Sequence, residues 1–279
     1  MSASVPQVGA SPPSRAGRNL PVAIVVGVAL ALLVLLTLYT VKTAFFVVVA
    51  IATCIAVHEL VTSVRVADIR TPLVILLAGN VVMLGAAYFD GADTLAAAYV
   101  LTVLAVVLAR LAHGPQDLGS DLTVAVLIAT YVPLLASFAM LMLAEEDGPD
   151  RIVVFILAVV LSDTGGYAAG VLFGKHRMAP RVSPKKSWEG FGGSVVLATV
   201  GSAVVVPLLL HTTWWQGALF GAVVVVTATL GDLAESLIKR DLGIKDMGRL
   251  LPEHGGLMDR LDSLLPTAPV AALLLTLLV

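Results

Sequence analysis

The stretch LPVAIVVGVALALLVLLTLY, residues 20–39, contains no charged side chain. A membrane-spanning helix needs about 20 consecutive apolar residues, and this run has that length. It is longer than the apolar region of a secretory signal peptide, which has about 7–15 residues, and it lacks a convincing small-residue cleavage site. We therefore expect residues 20–39 to form an uncleaved membrane anchor.

Apolar runs of the same kind recur along the rest of the chain. Hydrophobic residues occupy 58% of the 279 positions and charged residues only 13%, a balance far more apolar than that of soluble domains. The other candidate spans are residues 43–64, 71–89, 94–112, 122–144, 152–174, 191–210, 215–235 and 264–279. The sequence thus predicts an all-α, polytopic integral membrane protein with about nine transmembrane helices.

The basic residues are distributed unevenly among the connections between these spans. If the N-terminus is cytoplasmic, 15 of the 17 Lys and Arg residues lie inside, and only Lys42 and Arg151 lie outside. Cytoplasmic connections of membrane proteins carry an excess of Lys and Arg. We therefore expect a cytoplasmic N-terminus, insertion in the cell (inner) membrane and an active site that faces the cytoplasm.

The chain divides into three regions by composition. Residues 1–19 are rich in Ser, Pro and Gly, which is typical of a disordered tail. Residues 20–150 contain the first five spans and few internal polar groups. Residues 151–279 contain two polar blocks, 162–190 and 231–262, which lie on the same side of the membrane in this topology. Charges at membrane depth are costly and indicate function, so we expect the catalytic region in residues 151–279.

Acidic side chains in the second block suggest a metal site. Spacing places four polar residues on one face of a helix, namely Asp232, Glu235, Ser236 and Lys239. Asp232 follows a long apolar run, and a buried carboxylate there needs a Lys, an Arg or a metal ion nearby. Asp259 and Asp262 form a second pair, although acids are also common in the first turn of a helix. With one cysteine and few histidines, such a donor set suits a hard cation such as Mg²⁺.

Basic residues are interleaved with these acids. About half of them follow from the positive-inside rule, and the others indicate a phosphate-bearing ligand. Acids for a metal together with bases for phosphate suit phosphoryl or nucleotidyl transfer. The basic set comprises Lys175, His176, Arg177, Lys185, Lys186, Lys239, Arg240, Lys245 and Arg249.

Two glycine-containing features have more than one interpretation. The His-Gly-Gly sequence at residues 254–256 is either a turn before the last helix or an anion-binding nest of backbone amides. Glycine recurs at every fourth position from 166 to 174, which favours close helix packing. Asp163 and Tyr167, one turn apart in the same span, are the members of this segment with plausible chemistry.

Residues 236–262, SLIKRDLGIKDMGRLLPEHGGLMDRLD, resemble the signature of the phosphatidate cytidylyltransferases, also called CDP-diacylglycerol synthases. That signature reads S-x-hydrophobic-K-R, four residues, K-D-x-small, then P-x-H-G-G-x-x-D-R-x-D, and the chain meets it at every defined position. Family-like segments also occur at 162–176, 183–190 and 231–236, so the resemblance closely covers about the last 120 residues. Ser187 and Glu253 depart from residues common in the family, Thr and Gly respectively.

The resemblance implies that phosphatidate attacks the α-phosphorus of CTP, which gives CDP-diacylglycerol and pyrophosphate in phospholipid biosynthesis. It implies Mg²⁺, leaves a second cation open, and makes CTP, phosphatidate and membrane lipid the partners. No nucleic acid partner is expected, and the sequence leaves a homodimer open. A phosphate monoester is already a nucleophile at neutral pH, so the reaction needs no dedicated general base.

The resemblance also implies roles for individual residues. Metal ligands would be Asp232 and Asp259, supported by Asp262 and Asp246. The catalytic set would be Asp232, Asp259, Lys239 and His254, with His254 positioning or contacting an anion. Substrates would be bound by Ser236, Arg240, Lys245, Lys175, Lys185, Lys186, Arg260, Gly255 and Gly256.

Three other classes of protein are less compatible with these residues. A CDP-alcohol phosphotransferase would carry a D-G-x-x-A-R motif, which is absent. A transporter would spread polar residues through several spans and show an internal repeat, whereas here they concentrate at one face of the C-terminal half. A polyprenol or phytol kinase is harder to exclude by architecture, and the nucleotide product would separate it from a cytidylyltransferase.

Overall fold

The computed structural model describes residues 20–112, 114, 117–248 and 256–279, and in these ranges the chain is mostly helical. The predicted tail, His254 and Gly255 lie outside the described residues. The helices are α1 (Leu20–Thr40), α2 (Lys42–Val64), α3 (Leu73–Phe89), α4 (Ala92–Leu111), α5 (Leu118–Ala129), α6 (Leu135–Ala144), α7 (Gly148–Phe173), α8 (Trp188–Leu210), α9 (Trp214–Asp241), α10 (Met258–Leu261) and α11 (Leu264–Leu278). The prediction of an all-α polytopic membrane protein is confirmed.

Seven helical segments in the described part of the chain are long and apolar enough to cross a membrane. Two of these segments join consecutive helices, α5 with α6 (Leu118–Ala144) and α10 with α11 (Met258–Leu278). Two further apolar helices, Gly27–Thr40 and Leu73–Phe89, are shorter. All of these segments overlap the spans predicted from the sequence.

A π-helical turn, Thr130–Leu134, connects α5 to α6 without breaking the span. Pro133 lies inside this turn and has no backbone N–H, so it cannot continue the regular hydrogen-bond ladder of an α-helix. The Ser137 hydroxyl donates to the Pro133 carbonyl at 2.7 Å. The wider turn accommodates the proline, and residues 122–144 remain one helical segment, as predicted.

Helices α7 and α8 pack with their backbones close together. A Cβ added at Gly193 would lie 2.5 Å from the carbonyl oxygen of Gly165, and one at Gly166 would lie 2.6 Å from the Ser194 hydroxyl. That same hydroxyl donates to the carbonyl of Ser162 at 2.6 Å. Small residues therefore allow close approach, as predicted for this span, and they bring the first polar block against the start of α8.

A short β-hairpin lies between α7 and α8. Its antiparallel strands are β1 (Arg177–Ala179) and β2 (Ser183–Ser187). Ser187 then caps α8, since its hydroxyl accepts from the Gly190 amide at 3.1 Å. This hairpin was not predicted from the sequence, and it carries Lys185 and Lys186 to the second polar block.

Contacts at the other end of the helices join the first two spans to α7. The Tyr39 hydroxyl donates to Asp150 at 2.6 Å, and the Lys42 ammonium contacts the carbonyls of Glu145 and Glu146. Lys42 is one of the two basic residues predicted to lie outside. The other end of α7, about 39 Å away for a helix of 26 residues, carries the polar blocks.

Candidate active site

A cavity of about 400 Å³ lies where the two polar blocks meet. Its walls come from the end of α7, the β-hairpin, the start of α8, the second half of α9 and the segment that begins α10 and α11. The charged residues that line it are Asp163, Lys185, Lys186, Asp232, Asp259, Arg260 and Asp262. The predicted convergence of the two blocks is therefore confirmed.

Asp232 forms an ion pair across the cavity with the hairpin. Its Oδ2 lies 2.6 Å from the Lys186 ammonium, and its Oδ1 accepts from the Ser236 hydroxyl at 3.3 Å. The Asp232 side chain is one third exposed and that of Lys186 about one quarter, so both remain accessible from the cavity. The cation that the sequence required beside Asp232 is supplied by β2 in this structure.

Asp259 is held by a lysine and by two backbone amides. Lys239 lies 3.0 Å from its Oδ1, the Gly256 amide donates to Oδ2 at 2.9 Å, and the Met247 amide donates to the same oxygen at 3.1 Å. Lys239 also pairs with Glu235 at 2.8 Å, and the Glu235 side chain is fully buried. The Lys239–Glu235 pair fits the common face predicted for α9, and the same ammonium links α9 to the start of α10, a contact that was not predicted.

Two further carboxylates face the same cavity. Asp262 accepts from the amide of Ser263 at 2.7 Å, and Asp163 lines the cavity from α7 together with Tyr167. Tyr167 is 76% exposed, so its ring lies at the rim rather than in the interior. The sequence suggested only that Asp163 and Tyr167 have plausible chemistry, and in the structure both residues line the cavity.

Other predicted site residues, including the predicted metal ligand Asp246, lie around the cavity rather than in its wall. Lys245 and Asp246 are exposed and do not line it. Arg240 donates to the carbonyl of Val182 at 3.3 Å and so holds the hairpin against α9. The Lys175 amide donates to Glu189 at 3.1 Å, and its side chain is exposed.

Several uncharged residues of the cavity were missed at the sequence level. Hydroxyl-bearing side chains line it, and a phosphate group can accept hydrogen bonds from such groups. They are Ser162, Ser183, Ser187, Ser194, Thr229 and Ser263. Serine and threonine are common in membrane helices as packing residues, so their sequence positions alone gave no signal.

The donor set at the cavity is compatible with Mg²⁺. Asp163, Asp232, Asp259 and Asp262 offer carboxylate oxygens, the hard ligands that Mg²⁺ prefers. Within the described residues, however, no three His, Cys, Asp or Glu side chains form a ready-made metal site. Because Mg²⁺ is usually held by one or two carboxylates together with substrate phosphates, such an incomplete protein ligand set suits a metal that arrives with a nucleotide.

Comparison with known proteins identifies the family. Residues 21–278 match the profile of the Cytidylyltransferase family. A protein of Mycobacterium bovis named phosphatidate cytidylyltransferase is 44% identical over 285 residues, which cover 98% of this chain and 93% of that protein. A protein of the same name from Mycobacterium leprae is 44% identical over 95% of this chain and 90% of its own length.

A third relative, a phosphatidate cytidylyltransferase of Staphylococcus epidermidis, is 40% identical over 137 residues, about half of each chain. The mycobacterial matches show that the relationship extends well beyond the last 120 residues, where the sequence resemblance was close. It includes the first five spans, which resembled the family only in hydropathy. On the extent of these matches, the chain belongs to the cytidylyltransferase family.

Proposed function

We propose that this membrane protein is a phosphatidate cytidylyltransferase, which transfers CMP from CTP to phosphatidate and releases pyrophosphate. The observation that carries the proposal is the cavity, where Asp232 and Asp259 of the second block meet Lys186 of the first. The chain's family and the names of its mycobacterial relatives support the same reaction. We place the catalytic region in residues 151–279.

The reaction joins two polyanions, so charge neutralisation is its first requirement. A phosphate oxygen of phosphatidate attacks the α-phosphorus of CTP, a new P–O bond forms, and the bond from that phosphorus to the bridging oxygen of pyrophosphate breaks. Lys185, Lys186 and Arg260 line the cavity and can contact the phosphates of either substrate. These cations would stabilise the negative charge that develops on the leaving pyrophosphate.

We further propose Mg²⁺ as the cofactor, held first by Asp232 and Asp262. All three aspartates line the cavity, but the Asp259 side chain is only 8% exposed and accepts from Lys239 and two backbone amides, whereas that of Asp232 is 33% exposed. Asp246 is exposed and apart from the cavity wall, which gives it a weaker claim. When bound, the ion would neutralise phosphate charge and polarise the α-phosphorus.

The topology proposed with this function has nine spans, a cytoplasmic N-terminus and a location in the inner membrane. Tyr39, Lys42 and Asp150 meet at one end of the molecule, and the cavity with its many basic neighbours lies toward the other. An excess of Lys and Arg favours the cytoplasm for the end that carries the cavity. CTP would then arrive from water while phosphatidate keeps its acyl chains in the bilayer.

The position of a radioactive label in CTP tests the reaction and its closest competitor. Purified protein in detergent is incubated with phosphatidate and with CTP labelled at either the α- or the γ-phosphate. A cytidylyltransferase moves the α label into chloroform-extractable lipid and the γ label into pyrophosphate, only when phosphatidate and Mg²⁺ are both present. A lipid kinase would instead move the γ label into lipid, and that result would replace the proposed function.

A further inference from the structure

A buried acid of the N-terminal half contacts the backbone beside the catalytic carboxylates. Glu59 is the one acidic residue of α2, and it is only 7% exposed. Its Oε2 accepts from the amide of Met258 at 2.8 Å, across 199 positions of sequence. A carboxylate buried in a membrane protein is costly unless it has a specific partner.

A second residue of α2 contacts the same region from one turn further along. The Ser63 hydroxyl donates to the carbonyl of Met247 at 3.1 Å and also to the Glu59 carbonyl at 2.9 Å. Met247 and Met258 both belong to the signature and lie on the two sides of the segment 249–255. Helix α2 therefore holds both sides of this segment through one acceptor and one donor.

Two signature glycines lie against Glu59. A Cβ added at Gly248 would collide with the Glu59 carboxylate, and one added at Gly256 would lie 2.7 Å from Glu59 Oε2. Real Cβ atoms essentially never approach another atom this closely. Gly248 thus makes room for a carboxylate from another helix, while Gly256 makes room for that carboxylate and for the backbone nitrogen of Gly248, which lies 2.6 Å from the same Cβ position.

Asp259 binds the same two stretches of backbone through the amides of Met247 and Gly256. The Glu59 carboxylate is adjacent to Gly248 and Gly256 and accepts from Met258. The carboxylates of Glu59 and Asp259 therefore both contact the backbone of residues 247–248 and 256–258. A shift of those stretches would displace Asp259 and, with it, Lys239.

We propose that Glu59 is a positioning residue of the active site, which sets the location of Asp259 and Lys239 through the backbone of residues 247–248 and 256–258. This inference rests on the proposed function for its kinetic readout. Glu59 is not among the residues that line the cavity. Its effect should therefore appear in turnover more than in substrate affinity.

Kinetics of three Glu59 variants test the role. Glu59→Gln keeps an oxygen that can accept from the Met258 amide, whereas Glu59→Ala removes it and Glu59→Asp withdraws it by one methylene. We expect kcat to fall at least about tenfold in Glu59→Ala and Glu59→Asp, with KM for CTP within about threefold, because small displacements of catalytic groups slow reactions strongly. Glu59→Gln should stay within about threefold of the wild type.

Thr53→Ala is the matched control on the same helix. Thr53 is buried like Glu59, and its hydroxyl accepts from the side-chain amide of Asn80 at 2.9 Å and donates within α2. Among the described residues, none of its hydrogen bonds reaches 247–248 or 256–258. Its kcat should remain near that of the wild type. Equal losses in Thr53→Ala and Glu59→Ala would show a general effect of α2 on stability and overturn the proposal. If Glu59→Ala is not recovered folded, the Gln and Asp variants decide, since equal activity in both would also overturn it.

A double-mutant cycle tests the contact with Gly248. Gly248→Ala should lower kcat in the wild-type background, because the added methyl collides with Glu59. In the Glu59→Ala background the collision is absent, so the same substitution should cost little more. Independent, multiplicative losses would show that Glu59 and Gly248 act separately and would contradict the proposal.

Hydrogen exchange provides a readout that does not depend on activity. In the purified protein, the peptide that contains Met258 and Asp259 should exchange faster in Glu59→Ala than in the wild type, Glu59→Gln or Thr53→Ala. Unchanged exchange in Glu59→Ala would overturn the positioning role whatever the kinetics. If the wild type showed no CTP-dependent transfer, only the proposed function would be refuted. Hydrogen exchange would still test whether Glu59 positions the backbone near Asp259.

Discussion

Asp232 combines features that are costly to keep together unless they serve a ligand. It lies next to an apolar run in α9, yet it is one third exposed toward a cavity that contains three other aspartates. Like charges in one cavity repel, and the basic residues among these four carboxylates, including Lys186, offset that repulsion. The proposed Mg²⁺ would neutralise this carboxylate charge further when it binds together with a nucleotide.

Asp232→Asn should therefore abolish most CMP transfer. The substitution keeps the shape of the side chain but removes the charge that Lys186 and the proposed cation require. Loss of one stabilising group at a transferring phosphoryl centre lowers turnover by about a hundredfold or more. The initial rate of label transfer from α-labelled CTP measures the effect.

Asp241→Asn is the control for that substitution. Asp241 is exposed at the end of α9, outside the cavity wall and outside the defined signature positions. Its activity should remain close to that of the wild type. Near-normal turnover in Asp232→Asn, in protein that still inserts into the membrane, would contradict its role at the cavity.

At the scale of elements, the close contact of α7 with α8 positions the two sides of the cavity. Gly193→Ala would place a methyl group 2.5 Å from the Gly165 carbonyl, so the helices must separate. Overpacking of this kind costs about 1–3 kcal/mol of folding free energy. We expect a lower Tm for the purified protein, and reduced transfer activity because both helices line the cavity.

The neighbouring glycine makes this prediction specific. A Cβ added at Gly192 meets no atom within 4 Å, so Gly192→Ala has the same helix-propensity change without the collision. Its Tm should equal or exceed that of the wild type. Similar destabilisation in both variants would show that the backbone contact at Gly193 is not important for stability.

Much of this architecture could be predicted from the sequence because apolar length is a strong signal. Long runs such as 20–39 and 122–144 indicated spans, and charge placement indicated that residues 162–190 meet 231–262. The hairpin was missed because its strands have only three and five residues and include Pro and Lys. The partner of Glu59 was also missed, since a lone acid indicates function but not which residue, 199 positions away, it contacts.

At the scale of the whole molecule, the opposed ends of the helices allow a direct test of orientation. The chain has one cysteine, Cys54, inside α2, so Cys54→Ala provides a background without thiols. Arg181 lies in the hairpin beside the cavity, and Glu146 lies at the end that contains Lys42; both are exposed. A single cysteine at either position reports which side of the membrane it faces.

In this background we expect Arg181→Cys to react with a membrane-impermeant maleimide in inside-out vesicles but not in intact spheroplasts. Glu146→Cys should react in spheroplasts, because an odd number of spans separates it from position 181. Lys and Arg are also abundant at the end of the molecule near position 181 and scarce at the end near position 146. The Cys54→Ala protein without an added cysteine should remain unlabelled in both preparations. The reverse pattern would place the cavity outside, where CTP is not supplied, and would contradict both the topology and the cytoplasmic site. The expected pattern would instead place the cavity at the cytoplasmic surface of the membrane. There it can bind the nucleotide from the cytosol and the lipid phosphate from the inner leaflet.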